Sequence, residues 1–222
     1  MRFLEVRLRA APAILGDVTA FYGERLGLGI APALRVGETT IEFVPGEGEP
    51  FYHVALLVPG DRFVPALAWA AERVELLPDR NGDVVFDFGF WDAQACYFHD
   101  PAGNIVELIA HRDIGATGAQ GRFEPAEVLG VSELGLVGDP AGLAAQLEDE
   151  LGLRLWSGSV EGEGRLGFVG VKARTLIVSP PGRGWLPTGR PAEPHPVDAV
   201  VTGPRGAETV LAGLYRIRRT PV

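Results

Sequence analysis

Apolar residues recur along the chain in two rhythms, alternation with a period of two and helical spacing, and their order repeats. A strand is predicted over Phe3 to Ala10, then a helix around Leu15 to Leu26 that ends at Gly27 and Gly29, then strands near Ala33 to Val36 and Thr39 to Val44. Pro45-Gly46-Glu47-Gly48 breaks the pattern, and a second copy opens at Phe51. Its helix spans about Asp61 to Arg73, with Phe63, Ala66, Leu67, Ala70 and Ala71 on one face. Strands follow near Val74 to Leu77, Val84 to Phe88, Gln94 to His99 and Asn104 to Ala110. Residues 113–127 are Gly-rich and polar without a sustained period, and read as a linker. The pattern then resumes with a strand over Val131 to Val137 and a helix over Pro140 to Leu151, where Asp139 is the expected N-cap and Gly152 the stop. Glu148-Asp149-Glu150-Leu151-Gly152-Leu153 echoes Gly23-Glu24-Arg25-Leu26-Gly27-Leu28, so a third copy is expected. A shortened fourth would comprise Pro196 to Thr202, a brief helix near Ala207 to Leu214 and a strand over Tyr215 to Arg219.

Composition narrows the class. A length of 222 residues with 46% hydrophobic residues can bury a core in one large domain or two small ones. No apolar run approaches the roughly 18 residues of a membrane span, and Arg2, Glu5, Arg7 and Arg9 interrupt the first hydrophobic stretch. A soluble, cytoplasmic protein is expected. The net charge of −9, with Lys172 the sole lysine and no basic cluster, argues against a nucleic-acid partner. Cys96 is the single cysteine, which leaves no intramolecular disulfide and no thiolate cluster; it reads as a small buried apolar residue.

Chemistry enters with two predicted strands. Phe51-Tyr52-His53-Val54-Ala55-Leu56-Leu57-Val58 sets an imidazole among apolar residues, and Asp100-Pro101-Ala102-Gly103-Asn104 leads into Ile105-Val106-Glu107-Leu108-Ile109 with a carboxylate. An unpaired charge in either place would cost several kcal/mol, and a divalent metal is the simplest shared partner. Together with Ala20-Phe21-Tyr22-Gly23-Glu24-Arg25-Leu26-Gly27-Leu28, these segments resemble the vicinal oxygen chelate superfamily, which includes glyoxalase I, extradiol dioxygenases and fosfomycin- and bleomycin-resistance proteins. The likeness is good over residues 1–112 and faint beyond.

That resemblance implies an α+β fold of paired βαβββ units, each pair curling into a half-open barrel around one divalent metal. It implies a metal-bearing module over 1–112, the linker 113–127, and a degenerate module over 128–222 without metal. Ligands carried over onto this chain are Glu5 on the first strand of unit one, Glu42 on its last strand, and His53 and Glu107 on the matching strands of unit two. Three carboxylates and a neutral imidazole around M²⁺ leave about one excess negative charge, which favours hard or borderline ions such as Mn²⁺, Ni²⁺, Zn²⁺ or Mg²⁺; iron would serve the dioxygenase alternative. Arg7 and Arg9 share a strand face with Glu5 and could offset that charge or receive an anionic substrate group. Competing readings make Glu42 an edge-strand charge, Glu5 the partner of Arg7 or Arg9, and His53 a structural histidine. His99 and His111 read as turn-flanking or surface residues, and Phe88, Phe90 and Trp91 as pocket wall or plain core. In the second half Glu133 holds a first-strand position, but Ile177 stands where Glu42 would, and His195 or Asp198 has no clear register.

The implied function is metal-dependent isomerase or lyase chemistry of the glyoxalase type on a small substrate with neighbouring oxygens, Glu107 or Glu42 moving the proton. Extradiol dioxygenation and non-catalytic drug binding are the alternatives. The second half would pack against the first in place of a dimer partner, which leaves a monomer or a homodimer.

Overall fold

The computed structural model describes residues 1–29, 33–204 and 206–221. Along the chain the strands are β1 (Phe3–Ala10), β2 (Ala33–Val36), β3 (Thr39–Pro45), β4 (His53–Leu57), β5 (Phe86–Phe88), β6 (Ala93–His99), β7 (Ile105–His111), β8 (Gly130–Val137), β9 (Leu155–Gly158), β10 (Gly167–Val171) and β11 (Arg174–Ser179). After them come the short pair β12 (Gly184–Trp185) and β13 (Arg190–Pro191), then β14 (Val197–Gly203), β15 (Ala207–Leu211) and β16 (Tyr215–Pro221). Helix α1 (Leu15–Ala20) runs into a π-helical turn at Phe21–Arg25, while α2 (Phe63–Ala71) and α3 (Pro140–Leu151) are uninterrupted. The fold is α+β, built from repeated strand–helix–strand units. No helix among the described residues is long and apolar enough to cross a membrane.

Strand order departs from the pairing expected within each half. One sheet runs β15-β16-β14-β1-β3-β2 and joins unit one to unit four; the other runs β5-β6-β7-β4-β8-β11-β10-β9 and joins unit two to unit three. Both seams are antiparallel, β1 with β14 and β4 with β8, and each lies between parallel pairs: β1 with β3, β14 with β16, β4 with β7, β8 with β11. Residues 1–112 therefore do not close a half-barrel among themselves, because β1 and β4 lie in different sheets. Two differences are local. The helix expected near Ala207 to Leu214 is β15, whose alternation of buried Thr209 and Leu211 with exposed Glu208 and Val210 fits an edge strand. The strand expected near Val74 to Leu77 reduces to one bridge between Leu76 and Phe98.

Side-chain parity sorts the core into two layers. On β4, Val54 and Leu56 join the main core, which also receives Val18, Tyr22, Trp69, Leu143 and Leu147 from the helices, whereas Ala55 and Leu57 belong to a second cluster on the opposite face. Strands β4, β7 and β8 are buried on both faces, which explains their nearly continuous apolar sequences. Helix α3 forms as its sequence predicts: Asp139 accepts hydrogen bonds from the N–H groups of Ala141 and Gly142, Pro140 takes the first position, and Gly152 ends the helix at φ 61°. The segment 113–127 is held in place. The buried Arg62 guanidinium pairs with Glu127 at 2.6 Å and donates to the carbonyls of Ala119, Gly121 and Arg122.

Candidate metal centre

The β6–β7 turn sets the position of one wall. Asp100 is buried and accepts from the N–H groups of Ala102 and Asn104, from Asn104 Nδ2 and from the Tyr22 hydroxyl. Burial raises its pKa against these bonds. Asn104 in turn accepts from the N–H of Tyr52 at 2.8 Å, so the turn that launches β7 also fixes the start of β4 beside it. The Asp-Pro-Ala-Gly-Asn segment is thus a structural clamp on the two strands that bear Glu107 and His53.

Three strands bring their donors to one point. His53 on β4, Glu107 on β7 and Glu133 on β8 are 5%, 2% and 4% exposed, and their candidate ligand atoms all lie within 4.8 Å of one another. His53 Nε2 is 3.4 Å from Glu107 Oε2 and 3.8 Å from Glu133 Oε2. Ala55 faces both acids from the middle of the group, opposite Glu107 on one side and Glu133 on the other, and its methyl leaves the space above the strand free. Ile177 of β11 lines the same cavity and adds no donor.

Electrostatics at this point are unbalanced without a cation. Burial alone would depress the His53 pKa, but hydrogen bonds and charge from Glu107 and Glu133 raise it to about 9. Burial, reinforced by the charge of Glu107, raises the pKa of Glu133. Among the described residues His53 is the ion-pair partner of both carboxylates, with no lysine or arginine sharing the role. An imidazolium therefore takes the place that M²⁺ fits: two carboxylates and a neutral imidazole balance a divalent charge, and this nitrogen and oxygen donor set suits Zn²⁺, Ni²⁺, Mn²⁺ or Fe²⁺. The residues present fit such an ion.

An aromatic cavity of about 230 Å³ opens onto the group. Trp185 lies flat on the His53 ring, centroids 5.0 Å apart with 14° between planes, and Gly135 makes this possible because a Cβ there would meet the indole at 3.0 Å. Tyr97 stands opposite Glu107 on β6, its phenol pushed well above the usual range by burial and by the charges of Glu107 and Glu133. Trp91, whose Nε1 donates to Ser157 Oγ at 3.0 Å, packs edge-on against Phe168, and Phe90 is exposed at the cavity mouth.

Of the residues expected at the site, the structure brings together His53 and Glu107. Glu5, Glu42, Arg7 and Arg9 lie on the other sheet. There Arg7 occupies the register place that Ala55 holds, opposite Glu42 on β3 and Asp198 on β14, and its guanidinium pairs with Glu42 at 2.7 Å. Arg9 pairs with Asp198 at 2.8 Å. The position is filled by an arginine, and this corrects the assignment of Glu5 and Glu42 to a centre with His53, together with the proton-transfer role of Glu42. Contrary to the surface reading, His111 is fully buried, and burial lowers its pKa; His99 remains exposed. Cys96 is buried as expected, its thiol pushed up to about 12 by desolvation.

Glu133 is the site residue that sequence reasoning placed correctly on a first strand yet left without a partner. Its signal was the same as that of Glu107, a lone acid inside an apolar strand. Trp185 had no comparable signal, since it sits in a Gly- and Pro-rich stretch without periodicity.

No protein-family profile matches the chain, and no curated protein sequence does. Solved structures do. A Bacillus subtilis protein described as a candidate dioxygenase superposes with a TM-score of 0.60 at 14% identity, covering 100% of this chain and 85% of the other. Glyoxalase I from Zea mays gives a TM-score of 0.55 at 13% identity over 98% of this chain and 91% of its own. The chain thus has the fold of the vicinal oxygen chelate superfamily, a fold that hosts several chemistries.

Proposed function

We propose that the chain is a divalent-metal-dependent enzyme of the glyoxalase type, acting on a small molecule with two neighbouring oxygens by proton transfer next to a carbonyl. The observation that carries this reading is the convergence of buried His53, Glu107 and Glu133 at the floor of an aromatic cavity. These three residues would hold the ion, which supplies Lewis acidity toward negative charge developing on the substrate oxygens. Glu133 is the better proton carrier, because burial raises its affinity for a proton. The Tyr97 hydroxyl stays protonated beside Glu107 and holds that carboxylate in place. Trp185, Phe168 and Trp91 exclude water from the reacting end. Elemental analysis of metal-loaded protein tests the reading: about one ion per chain is expected, lost in His53→Ala, with isomerase activity on the thiohemiacetal of methylglyoxal and a thiol. Protein that binds no ion, or an ion that survives His53→Ala, overturns it.

One feature favours a second reading. Among the described residues, Ile177 at the fourth corner leaves three protein donors and an open position, as oxygen-activating iron sites have, although those sites take two histidines and one carboxylate where this chain offers one histidine and two carboxylates. Oxygen uptake by iron-loaded protein with catechols would replace the isomerase reading with extradiol cleavage.

A further inference from the structure

The cavity above His53, Glu107 and Glu133 has aromatic walls, and Arg183 is the arginine among its lining residues. Its guanidinium is held by two backbone carbonyls, Nε donating to Gly164 O at 3.0 Å and Nη1 to Gly184 O at 2.8 Å. Those bonds fix the plane of the group without neutralising it. Other arginines meet carboxylates, among them Arg7 with Glu42, Arg9 with Asp198, Arg62 with Glu127, Arg112 with Asp92 and Arg174 with Glu38. Arg190, like Arg183, donates to a backbone carbonyl, but it lies over the Phe51 ring and does not line this cavity. Among the described residues no carboxylate lies within ion-pair distance of Arg183, and burial alone acts on it, lowering its pKa. A half-buried cation at an apolar cavity, oriented but without a counter-ion, is costly unless an anion arrives to share the site.

We infer that Arg183 receives an anionic group of the substrate, a carboxylate or its equivalent, while the apolar body of the molecule lies between Trp185, Phe168 and Trp91. The cavity of about 230 Å³ is below the usual range of roughly 300–1,000 Å³ for ligand pockets, so the molecule is small. The substrate class is therefore a compact, flat, mostly apolar acid; that it also carries neighbouring oxygens rests on the reading given above. Arg7 and Arg9, already paired on the other sheet, do not compete for this role.

Two probes that differ only in charge, 3-phenylpropanoate and 3-phenylpropanamide, test this by quenching of tryptophan fluorescence, with the full chain both free of metal and loaded with zinc. Wild type binds the acid at least tenfold more tightly than the amide in both states, and added salt narrows the gap. Arg183→Gln binds the two equally, with amide affinity unchanged, and Arg183→Lys keeps part of the preference. Equal binding by wild type, a preference that persists in Arg183→Gln, or one seen only with zinc overturns the inference. A chain that binds no metal yet keeps the Arg183-dependent preference would sink the metalloenzyme reading alone.

Discussion

Ala55 and Arg7 hold the same register place in the two sheets: each faces an acid across a parallel pair and another across an antiparallel seam, Glu107 and Glu133 for Ala55, Glu42 and Asp198 for Arg7. A methyl leaves room for a cation; a guanidinium takes its place. Ala55→Arg should accordingly abolish metal binding, by putting an arginine between Glu107 and Glu133. Thermal melts with and without zinc would show the wild type stabilised by the ion and the variant indifferent to it.

Glu133→Gln and Glu42→Gln separate the two sheets. Loss of Glu133 removes one of the two acids that raise His53, so the imidazole of the metal-free variant should titrate below about 9, and metal affinity should fall at least tenfold. Glu42→Gln, which breaks only an exposed pair with Arg7, should change neither property. NMR titration of the His53 ring and metal competition with a chelator read both effects.

Metal affinity should climb with pH. His53 is protonated below about 9 in the metal-free fold, and a ligating imidazole must be neutral, so each ion bound expels a proton. Apparent affinity therefore rises about tenfold per pH unit toward 9 and then levels. The sign for stability is opposite. A folded-state pKa above the ordinary value of about 6.5 contributes stability that is fully present below 6.5 and is lost as pH rises through 9. Calorimetric melts of metal-free protein from pH 6 to 9 should fall as zinc affinity grows.

Trp185→Ala should cost about 3–5 kcal/mol, the usual range for a buried aromatic truncated to alanine, and should weaken metal binding by freeing the His53 ring. Denaturant midpoints give the first effect. If the second is absent, the stacked indole is only a lid.

Much of the fold was legible because it is written locally. Period-two strands, the Asp139 cap and the Gly152 stop all follow from neighbours a few residues apart. So did the buried acid at Glu107, since alternation places it with Ile105 and Ile109. Which unit pairs with which was not local: Glu5 and His53 both sit near the start of first strands, and nothing in either segment says whether β4 meets β1 or β8. That single ambiguity removed Glu133 from the expected site and put Glu5 and Glu42 into it. Trp185 and Arg183 come from an irregular stretch whose path is decided by what it packs against, as at Gly135.

The seam between β1 and β14 has a consequence for biosynthesis. Phe3 aligns with Val201, so β1, although β3 follows it closely, has no neighbour on its other edge until β14 is made, while β4 and β8 can zip together much earlier. The sheet that bears the three donors is in a position to mature on the ribosome first. The other sheet closes last, and until then the free edge of β1 is one that a chaperone or a neighbouring nascent chain could engage.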